Sequence, residues 1–171
     1  MKTFFTTIKI FTFIFAVSTI QLDCVANTGN VHVEPQLKQP SMTGLDVLIE
    51  NDCLQLKGKR VGLITNQTGV TSKMAQNINV FIKSENVDLK AIFSPEHGLF
   101  GSVSAGEKIY NKTDSVYGIP LYSLYGNNKK PNKDMLKNLD ILIFDIQDIG
   151  IRSYTYISTM GLAMEAAQEE G

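Results

Sequence analysis

No charge of either sign dominates this sequence. Its 16 lysines and arginines stand against 17 aspartates and glutamates, a formal net charge of −1. A chain so balanced has no basic field to draw nucleic acid or an anionic membrane surface, so neither is expected as a partner. Histidine is scarce, with only His32 and His97. HExxH and CxxC are absent, so no zinc site is expected. An oxygen-ligated Ca²⁺ or Mg²⁺ on Asp145 and Asp148 is the alternative to a metal-free site. The phosphate-cradling patterns GxGxxG and GxxxxGK[ST] are missing, and Gly101-Ser102-Val103-Ser104-Ala105 does not match the nucleophile elbow GxSxG. These gaps remove dinucleotide chemistry, P-loop chemistry and the commonest serine hydrolases, and no cofactor is implied.

Long apolar runs are lacking as well. The longest uncharged apolar stretch, Ile10 to Ile20, follows Lys2 and Lys9. A membrane-spanning helix needs about 20 apolar residues. The run instead has the form of a secretory leader, with a small-x-small cleavage site at Cys24-Val25-Ala26 and Asn27 as the new N-terminus. A lipid anchor on Cys24 fits less well, because acidic Asp23 stands where a small residue is wanted. The expected location is therefore secreted or periplasmic, without a stable membrane anchor. Cleavage after Ala26 would leave Cys53 as the single cysteine, so no internal disulfide framework exists. Among Leu48, Ile49 and Leu54, Cys53 reads as a small buried apolar residue.

What remains is ordinary globular material, 43% hydrophobic and 19% charged. That suits one compact domain. Residues 27–41 carry Pro35 and Pro40 without periodicity and read as a linker. A short helix follows, capped by Thr43, with Leu45, Leu48 and Ile49 on one face. After a turn at Lys57-Gly58-Lys59, Arg60 to Thr65 is a continuous apolar run, the mark of a strand buried on both faces. Ser72 is expected to begin a helix whose Met74, Ile78, Phe81 and Ile82 form one stripe. Leu89 to Phe93 is a second strand, which completes a right-handed βαβ unit. Ile119 to Leu124 is a short strand, Pro131 opens a small helix, and Asp140 to Ile146 is the strongest strand. Tyr156 to Glu169 is a last helix with Ile157, Met160, Met164 and Ala167 facing inward. The fold class is α/β, a mostly parallel sheet with helices on both faces, and strands 60–65, 89–93 and 140–146 are expected to be neighbours. No strand follows that helix, so residues 42–171 are expected to be an incomplete domain with an open sheet edge.

Open parallel sheets bind ligands beyond the carboxyl ends of their strands. Here those ends are polar and glycine-bearing: Thr65-Asn66-Gln67-Thr68-Gly69, Ser94-Pro95-Glu96-His97-Gly98, and Asp145 with Gln147-Asp148-Ile149-Gly150. Glu96-His97 is the sharpest pair. A carboxyl group in a cleft can serve as general acid or base, and a neighbouring imidazole can hold or relay the proton. A surface Glu beside a capping His would look the same in sequence. Glu107, on the same long loop, is a second carboxyl, and glycosidases generally use two. Asp145, Asp148 and Arg152 read equally as a structural ion-pair network or as sugar ligands. Asn66-Gln67-Thr68 and Asn111-Lys112-Thr113 are glycosylation sequons, which matter only in a eukaryotic host.

The segments GKRVGLITNQTGVT (58–71), FSPEHGLFG (93–101), AGE (105–107), IPLYSLYG (119–126) and DILIFDIQDIGIRSYTYISTMGLAMEAA (140–167) resemble a bacterial family of exo-β-N-acetylmuramidases, the NamZ type. The resemblance runs from about Gly44 to Gly171, and SPEHG and FDIQDIG are its most specific blocks. It implies a Rossmann-like catalytic domain, completed by a smaller C-terminal domain, that releases N-acetylmuramic acid from the non-reducing ends of peptidoglycan fragments. Glu96 matches the family's proposed catalytic glutamate, with His97 beside it and Glu107 as the other catalytic candidate. Asn66, Gln67, Asp145, Gln147, Asp148, Arg152 and Tyr154 are the substrate-binding candidates. Gln67 stands where the family often has proline. Two rival readings share this fold, because a fold does not fix a function. One is a non-catalytic module that binds cell-wall glycan without turning it over. The other is a periplasmic small-ligand receptor that closes on its ligand.

Overall fold

A computed structural model describes residues 9–11, 41–104, 112–113 and 117–171. The leader's cleavage site, nearly all of the linker, and Glu107 lie outside the described residues. Among those described, Arg60–Thr65 shows why a sheet forms. Val61 and Leu63 point to one face and Ile64 to the other, and all three are at most 1% exposed. A strand apolar on both faces can only sit between two layers.

The strands are β1 (Lys9–Phe11), β2 (Arg60–Thr65), β3 (Asp88–Ser94), β4 (Lys112–Thr113), β5 (Pro120–Ser123) and β6 (Ile141–Asp145). They lie in one sheet in the order β1-β6-β2-β3-β5-β4. All pairs are parallel except β4 with β5. The expected neighbours are neighbours, with β2 between β6 and β3. β1 lies within the expected leader and pairs by backbone with β6; the open edge was expected of residues 42–171, which do not include it.

Helices α1 (Gly44–Glu50) and α2 (Asn77–Lys83) cover one face. Their Leu45, Leu48, Ile78 and Phe81 pack on Val61, Leu63, Ile92, Ile141 and Ile143. Helices α3 (Lys133–Leu136) and α4 (Tyr156–Glu170) cover the other. There Met135, Leu136, Ala163, Ala166 and Ala167 meet Ile64, Ala91, Phe93 and Leu142. Burying a side chain such as Phe81 or Phe93 contributes about 1.5–3 kcal/mol, so these two layers account for most of the packing. Gly62 is required on the second face, because a Cβ there would come within 2.7 Å of both Leu139 and Leu142 side chains. None of these helices is long and apolar enough to cross a membrane.

Three local expectations need correction. Helix α2 begins at Asn77 rather than Ser72. Thr71 Oγ1 accepts from the backbone N–H of Lys73 (3.2 Å) and Ala75 (3.0 Å), which folds 71–76 into a hydroxyl-capped turn and leaves Met74 exposed. Ile82 is likewise exposed, while Ile78 and Phe81 are buried as expected. Ile49 is turned outward from α1, whose capping box of Thr43 with Asp46 is formed. In α4 the buried stripe is Tyr156, Thr159, Ala163, Ala166 and Ala167; Ile157 and Met164 face out. Small residues let that helix lie close to the sheet, and closeness outweighs the greater apolar area of the bulky side chains. Cys53 is buried, 2% exposed, as a small apolar residue would be.

The sheet is pinned at both ends of the β2–β6 pair. At the amino end Arg60 and Asp140 form a two-pronged ion pair, Nε to Oδ2 at 2.9 Å and Nη2 to Oδ1 at 2.7 Å. The Arg60 guanidinium holds the Asp140 carboxyl below the usual carboxylate range. At the carboxyl end Thr65 stands opposite Asp145, and Thr65 Oγ1 donates to the Asp145 carbonyl at 2.9 Å.

Candidate functional site

Three loops leave the carboxyl ends of β2, β3 and β6 and are fastened to one another. After β2, Asn66 Oδ1 accepts from Thr68 N (2.9 Å) and Thr68 Oγ1 (2.6 Å). The Thr68 hydroxyl in turn accepts from Gln147 N at 2.9 Å, which ties this loop to the one after β6. Asn66 is 4% exposed and serves as a brace within the loop; its buried amide cannot accept a glycan in the folded protein. The Gln67 side chain is exposed and lies against Gly101, where a Cβ would meet it at 2.7 Å, so the β2 and β3 loops touch.

After β3, Pro95 is buried and Glu96 half-buried. Thr155, the residue capping α4, places its Oγ1 3.5 Å from Glu96 Oε2. His97 adopts a left-handed backbone, φ 71°, uncommon for a residue with a side chain. Its loop is closed by two bonds: Val103 N donates to His97 O at 3.2 Å, and His97 Nδ1 lies 3.0 Å from Val103 O. A carbonyl oxygen only accepts, so Nδ1 carries the proton. In the neutral ring Nε2 is then a bare lone pair, the nitrogen not committed to the loop.

Substituting His97 by Asn separates brace from chemistry. Asn tolerates a left-handed backbone, and its amide can still donate to Val103 O, but it offers nothing at the Nε2 position. In the full gene product we predict a variant melting close to the parent with activity lower by about 10²-fold. Parent-level activity in that variant would leave His97 as a loop brace only.

After β6, Asp145 is held from below. Asn77 Nδ2 donates to Asp145 Oδ2 and to Thr65 Oγ1, both at 2.7 Å. Burial pushes the Asp145 carboxyl up from the ordinary value, and the Asn77 bond works against that shift. Asp148 Oδ1 accepts from Gly150 N at 2.7 Å and shapes the turn. The Gln147, Asp148 and Arg152 side chains are exposed. Tyr154 packs edge-on against Tyr156, ring centroids 5.4 Å apart.

Tyr156 is where the three loops converge. Burial raises the pKa of its phenol; the Asn66 amide opposes this, and the charges of Tyr154, Glu96 and Asp148 add to it. Glu96 of the β3 loop and Asp148 of the β6 loop therefore lie within electrostatic range of one hydroxyl, and the Thr68–Gln147 bond ties the β2 loop to the same place. Asn66, Glu96, Asp148 and Tyr154 are brought together in this way, and Asp145 sits one layer deeper. Among the described residues no three His, Cys, Asp or Glu side chains gather as metal ligands would.

Sequence reasoning passed over Asn77 and Thr155, and it gave Thr65, Gly69 and Tyr156 no individual role although it placed them in the strand-end loop and at the start of the last helix. Asn77 carried a usable signal, a polar residue set on the Ile78/Phe81 face of a helix. Thr155 and Tyr156 carried none, since a cap and a helical tyrosine are ordinary. A cavity of about 570 Å³ lined by Arg60, Lys90, Tyr122 and Lys137 lies elsewhere. It touches none of these loops.

The fold and site together define a parallel α/β protein with carboxyl groups and hydrogen-bonding side chains gathered beyond its strand ends, the Rossmann-like arrangement. Residues 61–171 match the model of the family described as exo-beta-N-acetylmuramidase NamZ, N-terminal, and the chain belongs to that family. It is 50% identical over 135 residues to the peptidoglycan beta-N-acetylmuramidase NamZ of Bacillus subtilis (strain 168), covering 78% of this chain and 33% of that protein. Two crystal structures of DUF1343 family proteins from Bacteroides fragilis NCTC 9343 share the fold. One has a TM-score of 0.68 at 52% identity and covers 75% of this chain and 32% of its own. The other has 0.58 at 34% identity, over 75% and 31%. The chain thus spans about a third of the length of these relatives.

Proposed function

We propose that this chain contributes the carboxyl-bearing wall of an exo-acting glycoside hydrolase, one that releases N-acetylmuramic acid from the non-reducing ends of peptidoglycan fragments. The observation that carries the reading is the fastening of the strand-end loops to one another: Gln147 N donates to Thr68 Oγ1 at 2.9 Å, Thr155 Oγ1 lies 3.5 Å from Glu96 Oε2, and Asn77 holds the Asp145 carboxyl at the same end of the sheet. The family and the Bacillus subtilis relative support it. Glu96 protonates the leaving glycosidic oxygen as general acid, and His97 orients it or relays the proton. Gln67, Gln147, Asp148, Arg152 and Tyr154 line the approach for the sugar. The work is done outside the cytoplasm, after removal of a leader ending at Ala26. Residues 27–171 alone are expected to be inactive, because the chain spans only about a third of its relatives' length.

The test is product analysis of the full gene product on peptide-free cell-wall glycan. Free N-acetylmuramic acid should appear from the non-reducing end, and the exported protein's mass should place its N-terminus at Asn27. Binding of the glycan with no release of sugar would support the rival reading, a binding module on the same fold.

A further inference from the structure

Asn77 is out of place on its helix. It opens α2 on the face that buries Ile78 and Phe81, and it is itself 1% exposed. A buried amide is costly unless its hydrogens find acceptors. Both do: one meets Thr65 Oγ1 and the other Asp145 Oδ2, each at 2.7 Å. The Asn77 backbone N–H donates to Gly69 O at 2.9 Å. Gly69 must be glycine here, because a Cβ would strike Asn77 Nδ2 and Thr65 Oγ1. Helix, strand and loop thus cooperate to hold one oxygen of one carboxyl group. The other oxygen, Asp145 Oδ1, has no partner among the described residues, and Asp145 is only half-buried at the carboxyl end of its strand.

We propose that Asn77 is a positioning residue: it grips Asp145 Oδ2 so that Oδ1 meets the bound sugar as an ionised hydrogen-bond acceptor. The inference rests on the glycosidase reading and adds to it a group that never touches substrate. Burial alone would keep Asp145 protonated to higher pH, and the Asn77 bond favours the charged form. No other ionisable group shifts Asp145. Toward Asp145, β2 and the start of α2 present Thr65 and Asn77, neither of them ionisable. The titratable side chains on the neighbouring loops are Glu96 and His97 after β3, and Asp148, Tyr154 and Tyr156 after β6.

The experiment uses the full gene product and a muramic-acid disaccharide, with Asn77→Leu, Asn77→Ser and Thr65→Val. The Leu variant should lose about 10- to 100-fold in kcat with KM little changed, since misplacement of a reacting group acts on turnover. Without the Asn77 donor, the acid limb of its pH–rate profile should move to higher pH. Asn77→Ser, which keeps a donor, should bring the limb part of the way back. Thr65→Val should show a smaller shift in the same direction, and it decides the matter if the Leu variant does not fold. An acid limb that stays at the parent's pH, or a loss confined to KM, overturns the proposal. A parent without turnover would sink the glycosidase reading instead. The Asp145 carboxyl can then be titrated directly by NMR, where Asn77→Leu should still raise its pKa, and an unmoved titration again overturns the assignment.

Discussion

On the proposed glycosidase reading, replacing Glu96 by Gln in the full gene product is expected to lower turnover on a muramic-acid disaccharide by about 10²–10⁴-fold, the usual contribution of general acid catalysis. At about 1.36 kcal/mol per decade, that is roughly 3–5 kcal/mol of transition-state stabilisation. The amide keeps the shape and can still meet Thr155, whose hydroxyl approaches Glu96 Oε2 at 3.5 Å, so fold and substrate affinity should change little. The leaving group decides whether the defect is visible. An activated aryl glycoside departs with little protonation and should be cleaved nearly as fast by the variant as by the parent. The signature is therefore a large loss on the disaccharide beside a small one on the aryl glycoside. Equal rates for parent and variant on the disaccharide would remove Glu96 from the mechanism and leave Glu107 or Asp145 as the better candidate.

Gly69→Ala should be among the most damaging single-methyl additions in the described residues. The new Cβ would collide with Asn77 Nδ2 and Thr65 Oγ1 and lie 2.8 Å from the Asp145 carbonyl oxygen. None of these can retreat cheaply, since two belong to the buried network and the third is backbone. Overpacking costs about 1–3 kcal/mol, and loss of a bond to a charged group adds about 1.5–3 kcal/mol. We expect a destabilisation of roughly 2.5–6 kcal/mol, with activity falling further than the folded fraction does. Gly161→Ala is the matched control. It lies in α4 with nothing within 4 Å of its added Cβ, and it should gain up to about 1 kcal/mol from helix propensity. Thermal unfolding of the two variants side by side settles this; equal melting temperatures would show that Gly69 is not tightly packed.

β2, β3 and β6 were legible because each holds an apolar run that admits one environment, whereas β1 and β4 were not expected as strands. Arg60–Thr65 is apolar on both faces, and Ile141–Asp145 ends in its only charge, so strand, burial and carboxyl end could be read together. Elements set by competition among weak local preferences were not. Thr71 forms its own turn ahead of α2, and α4 chooses its inward face by closeness rather than by bulk, so a count of apolar residues misplaced both. In the candidate site, Glu96 and Asp145 could be found because they follow strands. Their partners could not, since Asn77 and Thr155 reach them across 68 and 59 residues of sequence. No periodicity records a contact of that span.

The ion pair between Arg60 and Asp140 matters in a further way. Side chains alternate along a strand, so a slip of one residue between β2 and β6 would turn every side chain on β6 to the opposite layer. Asp145 would then point toward α3 and α4 instead of Asn77. The two-pronged grip at the amino end forbids that slip, because a displaced Asp140 could not meet both guanidinium nitrogens and the Arg60 backbone N–H. Five strand steps away, about 16 Å, it indexes the chain so that one carboxyl is dealt to the correct side. A partly exposed charge pair thereby acts as a key for chemistry it never approaches.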